Sequence, residues 1–468
     1  MGDSEAVTAA AKSEEEEHRK TSSFNFLNCT RFVILFVTLL ALIFAFGNSL
    51  IYNFTIICMS RKAPVLDKNG TQYFIIVQMF SQKEEGLLYS AIAIGSFVGS
   101  LSVVYLARFF GARIVFTVYG GISGVATLLS PICANWGFVP LFIMRILQGI
   151  GAGMTFTSIG FVTGAWSPLA SSGLFLSWLT TYIQLAPLFT MPLSGLFCAL
   201  TLIAFTLFYF VYRDTPRFHR NVSNTELAKI ENAKNGISMD KKSKPLKVPY
   251  FKILTDKVII GILFTCFGNF LGFQVFMQFA PVYLNQVLKL DIEKTGVMSA
   301  LPYLGCLILK FIVGPLSDSL TCISQLTSVK LYTALSQFTM AICLFVMATV
   351  PPHLTTISQI AYTIAIIGGS LNSVGFYKAT QLYSGPFTSV IMSWFSLLNS
   401  AVVLFLPFLK TSIAAENRPE QWSKMFYIIS AIVVCTTLFS IFTTEIEPRK
   451  WAIIKPNITV KEIDETET

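Results

Sequence analysis

The sequence predicts an all-α membrane protein, a bundle of twelve transmembrane helices in two pseudo-symmetric six-helix halves. Three observations predict it. Only 13% of the 468 residues are charged while 53% are hydrophobic, 42 of them Phe, and a soluble chain carries about a quarter charged residues. Twelve apolar runs follow one another, most of them near the ~20 residues that a crossing needs. A strongly basic segment divides them six and six.

The elements follow in order. Residues 1–31 are polar and hold the acidic run Glu14 to Glu17, which reads as a disordered cytoplasmic tail. The run from Phe32 is too long for a signal-peptide core and has no small-residue cleavage site near its start, so it is the first span. The first half covers 32–212, with spans near 32–57, 86–107, 114–134, 137–165, 171–191 and 193–212. The linker 213–257 carries 11 Lys/Arg against 5 Asp/Glu. That excess marks a cytoplasmic loop, and it places the formal charge of +9 at a membrane face rather than on a nucleic-acid surface. The second half covers 258–443, with spans near 258–282, 296–314, 329–350, 357–377, 386–409 and 424–443. Residues 444–468 form a second cytoplasmic tail. Arg108 and Arg113, between spans two and three, agree with this orientation. Asn69-Gly-Thr71, in the long loop 60–85, is a glycosylation sequon on the opposite side.

The two halves echo each other. FGNSL (Phe46 to Leu50) lies in span one and FGNFL (Phe267 to Leu271) in span seven. Such a parallel duplication, as in major-facilitator carriers, places a substrate site between the halves near mid-membrane. One segment is cramped: residues 171–212 must cross twice and turn, so a tight hairpin near Pro192 or a re-entrant segment is expected.

The chemistry centres on Arg145, in LFIMRILQGIGAGMTFTS. It lies about eight residues inside span four, ~12 Å deep, where an arginine costs roughly 2.5–3.5 kcal/mol on insertion scales. No Asp or Glu falls within the spans as drawn, so a bound anion supplies the counter-charge; carbonyls and water are the structural alternative. Asn48 and Asn269 are repeat-related and are expected to face each other across the pseudo-symmetry axis. Tyr52 lies one turn beyond Asn48, and Gln274 and Gln278 share a face of span seven. Asn48, Tyr52, Asn269 and Gln274 are candidate polar contacts to the substrate. Lys310 is a second intramembrane cation, close enough to the end of span eight to snorkel or to act on the substrate. Lys378 and Lys410 read as interface anchors. Asp318, in GPLSD, closes span eight, and with Arg108 and Arg113 forms the candidate gating-loop set. The nine cysteines are scattered and read as buried thiols, with a Cys58–Cys133 bridge as an alternative because both sit near one membrane face. His18, His219 and His353 all lie outside the spans, which leaves no embedded metal site or acid–base dyad and disfavours an enzyme.

Several segments together resemble the anion transporter family that includes vesicular glutamate transporters, sialin and the type I sodium–phosphate cotransporters. They are MRILQGIGAGMTF (Met144 to Phe156), PLSGLFC (Pro192 to Cys198), RDTPRFH (Arg213 to His219), VPYFKILTD (Val248 to Asp256), APVYL (Ala280 to Leu284), GVMSALPYL (Gly296 to Leu304) and PEQWSKMF (Pro419 to Phe426). The resemblance covers about 32–445. It implies a major-facilitator fold, alternating access, a small anionic substrate and an anion role for Arg145. The departures carry their own implications. Ala152 stands where the family has an acid tied to proton coupling, which favours sodium coupling or uncoupled exchange over proton coupling. Ser49 and Asn269 stand where arginines are found in relatives, which weakens glutamate transport. About fifteen residues are missing after PLSGLFC, which explains the cramped hairpin. The expected protein is a monomeric secondary anion carrier in the plasma membrane or a vesicular or lysosomal membrane. It needs no cofactor besides the coupling ion, and sodium–phosphate cotransport is the leading specific form. A non-transporting sensor or trafficking partner on a carrier scaffold is the alternative.

Overall fold

The computed structural model describes residues 26–55, 60–66, 72–193, 196–231, 248–290, 292–320, 322–449 and 451–452. The first half consists of α1 (Thr30–Thr55), α2 (Gln82–Phe110), α3 (Ala112–Trp136), α4 (Phe138–Gly153) continued by α5 (Thr155–Trp166), α6 (Ser172–Leu179) continued by α7 (Tyr182–Leu193), and α8 (Phe197–Val211). In the linker lie α9 (Asn224–Glu231) and α10 (Tyr250–Leu254). The second half consists of α11 (Lys257–Val282), α12 (Ile292–Ser319), α13 (Gln325–Thr349), α14 (Thr355–Gly369) continued by α15 (Phe376–Ser384), α16 (Thr388–Ile413) and α17 (Pro419–Thr443).

Among the described residues, nine helical runs are long and apolar enough to cross a membrane. The run Thr355–Ile413 holds two crossings. The broken α6–α7 and the short α8 supply two more, so twelve crossings stand in the expected order. Exposed Phe36, Phe109, Phe210, Phe311, Phe405 and Phe442 cover the outside of the bundle, as lipid requires of a surface with no water to hydrate it.

The structure corrects several boundaries. Span two begins at Gln82, capped by Ser81 and Glu84 in a capping box, so Glu84 and Glu85 lie in its first turn. Span eight runs on to Ser319 and contains Asp318. The loop expected at 60–85 carries an antiparallel hairpin, β1 (Ser60–Leu66) and β2 (Gln72–Gln78), paired from Ser60↔Gln78 to Leu66↔Gln72. Asn69 and Cys58 lie outside the described residues, and Cys133 is a free thiol. The cramped segment does cross twice. It manages this with a break at Thr180–Thr181 and an α8 of 15 residues, about 22 Å at 1.5 Å per residue.

Both chain ends of the bundle meet the linker at one face. Thr30 Oγ1 donates to the Asn221 carbonyl at 2.8 Å, and the Arg31 amide donates to Glu226 at 2.9 Å. On the other half, Asp256 caps α11 through the Val258 amide and accepts bonds from Tyr383, Arg449 and Trp451. Burial raises the Asp256 pKa, but these four donors together outweigh it and hold the carboxyl below its ordinary value. This face is called the linker end below, and the face that carries β1 and β2 the hairpin end.

Candidate functional site

Glycines build the wall on which Arg145 stands. A Cβ on Gly95 would fall 2.0 Å from the Ile146 carbonyl oxygen, and one on Gly149 would fall 2.3 Å from that of Ile92. The backbones of α2 and α4 therefore touch, as small-residue faces allow in membranes. This close approach carries the Leu88 carbonyl of α2 to Arg145.

Arg145 is 2% exposed. Its Nη1 donates to the Ser49 carbonyl at 3.2 Å and to Gln148 Oε1 at 2.8 Å. Its Nε donates to the Leu88 carbonyl at 3.4 Å. The guanidinium lies over the Tyr52 ring, 4.6 Å from the centroid, and Tyr89 closes on Tyr52 edge-on at 5.3 Å. Gln148 is itself fixed by Nε2 donating to Thr127 and Ser130, both at 3.1 Å. Carbonyls, an amide and a ring thus orient the cation. No carboxylate pairs with it, and Nη2 makes no hydrogen bond among the described residues. A fixed guanidinium edge with two N–H groups left over is a directed oxyanion donor.

The remaining predicted residues divide. Asn48 does not face Asn269. Its Nδ2 donates to Ser123 and its Oδ1 accepts from Thr201, both at 3.1 Å, so it ties α1 to α3 and α8 inside the first half. Asn269 is buried on α11, and Gln274 donates to Asn399 Oδ1 at 2.8 Å inside the second half. Lys310 does not snorkel. It is 4% exposed and crosses between the halves, donating to the Thr180 carbonyl at 2.9 Å and to Gln184 Oε1 at 3.0 Å. Lys378 is no interface anchor: it is buried against Asp318, Nζ to Oδ1 2.7 Å. Asp318 in turn accepts the Gly173 and Leu174 amides at 3.0 and 2.8 Å, so a carboxylate of the second half caps α6 of the first. A cavity of about 250 Å³ opens beside this pair, lined in part by Leu169, Ala170 and Ser328. Arg113 works within its own half. Its amide donates to Asp214 at 2.8 Å, its Nε to the Tyr209 carbonyl at 2.6 Å, and its guanidinium stacks on the Tyr209 ring. Burial raises the Asp214 pKa despite those donors. Arg108, near the end of α2, is half-buried and lies electrostatically close to Tyr250.

Further bonds between the halves form a ladder of serines. Ser100 and Ser396 approach to 2.7 Å, Ser400 donates to Ser96 at 2.8 Å, and Ser396 donates to the Gly153 carbonyl at 2.9 Å. Ser177 meets Ser373 at 2.8 Å, and Gln381 reaches the Thr163 carbonyl at 3.4 Å. Phe156 packs on Phe270 and stacks on Tyr377. Among the described residues, every hydrogen bond between the halves falls between mid-bundle and the linker end. The linker end is closed, and Arg145 lies on the hairpin side of the closure. Sequence reasoning missed Gln148, Gln184 and Tyr89 around the two cations. Gln184 and Tyr89 lie on other helices than the cations they approach and left no signal in a single chain, whereas Gln148, three residues beyond Arg145 on the same helix, did leave one.

Two six-helix halves joined at one end around buried cations define a membrane carrier. The profile of the Major Facilitator Superfamily matches residues 21–407, and the chain belongs to that superfamily. It is 23% identical to human sialin over 418 residues, covering 85% of this chain and 82% of sialin. It is 24% identical to the probable small intestine urate exporter of Mus musculus (84% and 80% covered) and 23% identical to mouse sodium-dependent phosphate transport protein 3 (84% and 86% covered). Among solved structures it is similar to the proton:xylose symporter XylE, with TM-score 0.66 at 15% identity over 89% of this chain and 96% of that one. A bacterial homologue of the iron transporter ferroportin in an outward-facing state gives TM-score 0.60 at 16% identity, covering 88% and 99%. These two show the fold alone. The chain is a multi-pass membrane transporter and not an enzyme, and the sensor alternative has no support among these relatives.

Proposed function

We propose that this carrier moves a small anion by alternating access and that Arg145 is the anchor the anion meets first. One observation carries the reading: a buried guanidinium, oriented by Ser49, Leu88, Gln148 and Tyr52, with no carboxylate partner and with Nη2 unused among the described residues. The relatives' names support the anion class, since sialin, a urate exporter and phosphate transport proteins are among them. The basic linker face is the cytoplasmic one by its excess of Lys and Arg, so both termini are cytoplasmic and the closed end of the bundle faces the cytoplasm. Ala152 leaves α4 without a proton-carrying acid, and sodium, coordinated by neutral oxygens, is the coupling ion. Phosphate is the leading substrate. A monomer is complete by itself, in a plasma or vesicular membrane.

Uptake of labelled phosphate, sialate, urate and glutamate into proteoliposomes tests this, under an inward sodium gradient and then a proton gradient. One anion taken up with sodium, and lost in Arg145→Gln, is the expected result. Uptake unchanged in Arg145→Gln, from protein shown to be folded, overturns the role of Arg145.

A further inference from the structure

We propose a second anion station, nearer the linker end, formed by Lys310 and the break between α14 and α15. It becomes available only when that end opens. The inference rests on the carrier reading above and adds a site to it.

Three observations on different elements converge there. First, Lys310 is a buried ammonium with no carboxylate partner among the described residues. Both of its bonds reach across to the first half, to Thr180 O and Gln184 Oε1. The Thr180 carbonyl can accept it because the helix is broken there: the Gln184 amide turns to Thr181, and Thr180 keeps only a 3.3 Å bond from Ile183. Second, the crossing that faces this break is itself interrupted. A 3-10 turn, Ser370–Ser373, separates α14 from α15, and α15 is preceded by Gly375, which supplies no capping side chain. A half-helix N-terminus inside a carrier is a place where anionic groups are held. Third, Asn372 in that turn is 1% exposed, and neither its Nδ2 nor its Oδ1 has a hydrogen-bond partner among the described residues. A buried amide is rarely left so.

The pieces adjoin. Leu371 and Val374 of the interrupted crossing pack with Val313 and Leu309, and Leu309 is the neighbour of Lys310. Ser373 meets Ser177 at 2.8 Å, and Thr180, one turn beyond Ser177, donates back to its carbonyl. The first half thus supplies protein oxygens to Lys310 and Ser373 in the closed form. Parting the halves at the linker end removes Thr180, Gln184 and Ser177 together. It leaves the Lys310 ammonium, the Asn372 amide and the α15 N-terminus as donors in the second half, and the Ser373 hydroxyl can join them by turning from the Ser370 carbonyl, to which it donates at 2.9 Å. A small oxyanion, carboxylate or phosphate, fits that donor set. Protein oxygens and anion would then alternate as partners of one lysine, so the ammonium is never left bare in either state.

The test uses the full-length protein in detergent, with Ser177→Cys introduced and its maleimide labelling rate read by mass spectrometry at that residue. Inorganic phosphate and sialate are the probes, against gluconate. Ser177 is fully buried in the closed form, so labelling reports opening. At least one probe is expected to speed labelling about threefold, since a ligand of the open form raises its population. In Lys310→Gln, labelling is expected to be fast without anion and indifferent to it. Lys310→Arg keeps the response, and Asn372→Ala weakens it. If Lys310→Gln still responds to the probe as the parent does, Lys310 only fastens the gate and the proposal fails. If neither probe changes labelling in the parent, the station does not exist. Labelling needs no flux, so a protein that responds here yet carries no anion into liposomes separates this inference from the transport reading.

Discussion

Replacing Asp318 with Asn should unfasten the linker end, and the structure sets the size of the effect. Asp318 and Lys378 belong to the same half, so their 2.7 Å ion pair persists whether the halves are joined or parted. What distinguishes the two states is the pair of amides of α6, Gly173 at 3.0 Å and Leu174 at 2.8 Å. Asparagine keeps one carbonyl oxygen for them and turns an NH2 group toward the other donor. One charge-assisted bond, about 1.5–3 kcal/mol, and the favourable charge at a helix N-terminus, ~0.3–1 kcal/mol, are lost from the closed state alone. About 2 kcal/mol corresponds to a roughly 30-fold shift toward opening. Spin labels on Ala170→Cys and on the native, exposed Cys322 bracket this contact from opposite halves. Their distance distribution by pulsed electron resonance should gain a longer population in Asp318→Asn. An unchanged distribution in a folded variant would show that the amide caps do not hold the end shut, and that the serine ladder suffices without them.

Other outcomes follow from the same geometry. Gly95→Ala places a methyl against the Ile146 carbonyl and should lower stability by roughly 1–3 kcal/mol, read as a drop in the thermal midpoint. Gly86→Ala, with open space around it, is the matched control. Asp256 has a lowered folded pKa, so its contribution is fully present above the ordinary carboxylate value of ~4. It disappears as pH falls through the lower folded value. Thermal midpoints measured from pH 7 down to pH 3 should therefore fall more steeply for the parent than for Asp256→Asn.

Much of this was legible in the chain. Composition and the basic linker gave the crossings and their division, because lipid leaves the backbone few solutions. Arg145 stood out because a lone guanidinium in an apolar run is costly wherever its partners lie. The snorkelling reading of Lys310 failed for a local reason. The helix runs on to Ser319 rather than ending near Gly314, which places the lysine deeper, and its partner is a carbonyl exposed by a break at Thr180 that no proline or glycine announces. Asn48 was misassigned because repeat symmetry says which residues correspond and not which way they point; Ser123 and Thr201 decided that. The hairpin did leave a signal. In the sequence, the dipeptide Asn69-Gly70 between the strand formers Val65-Leu66 and Tyr73 to Val77 is a hairpin pattern, and the same residues had been read only as a sequon.

The serine ladder has a consequence for how quickly such a molecule can turn over. Ser96, Ser100, Ser396 and Ser400 meet hydroxyl to hydroxyl across the seam. As the halves separate, each hydroxyl can trade its partner for a water molecule one for one, so the parted faces are wettable at once. A seam of leucines in the same place would part into two dry walls, and the cost of wetting them would weight the cycle toward the closed form. Short polar side chains make the two ends of the cycle similar in free energy, and a carrier that must visit both in every turn gains speed from that near balance.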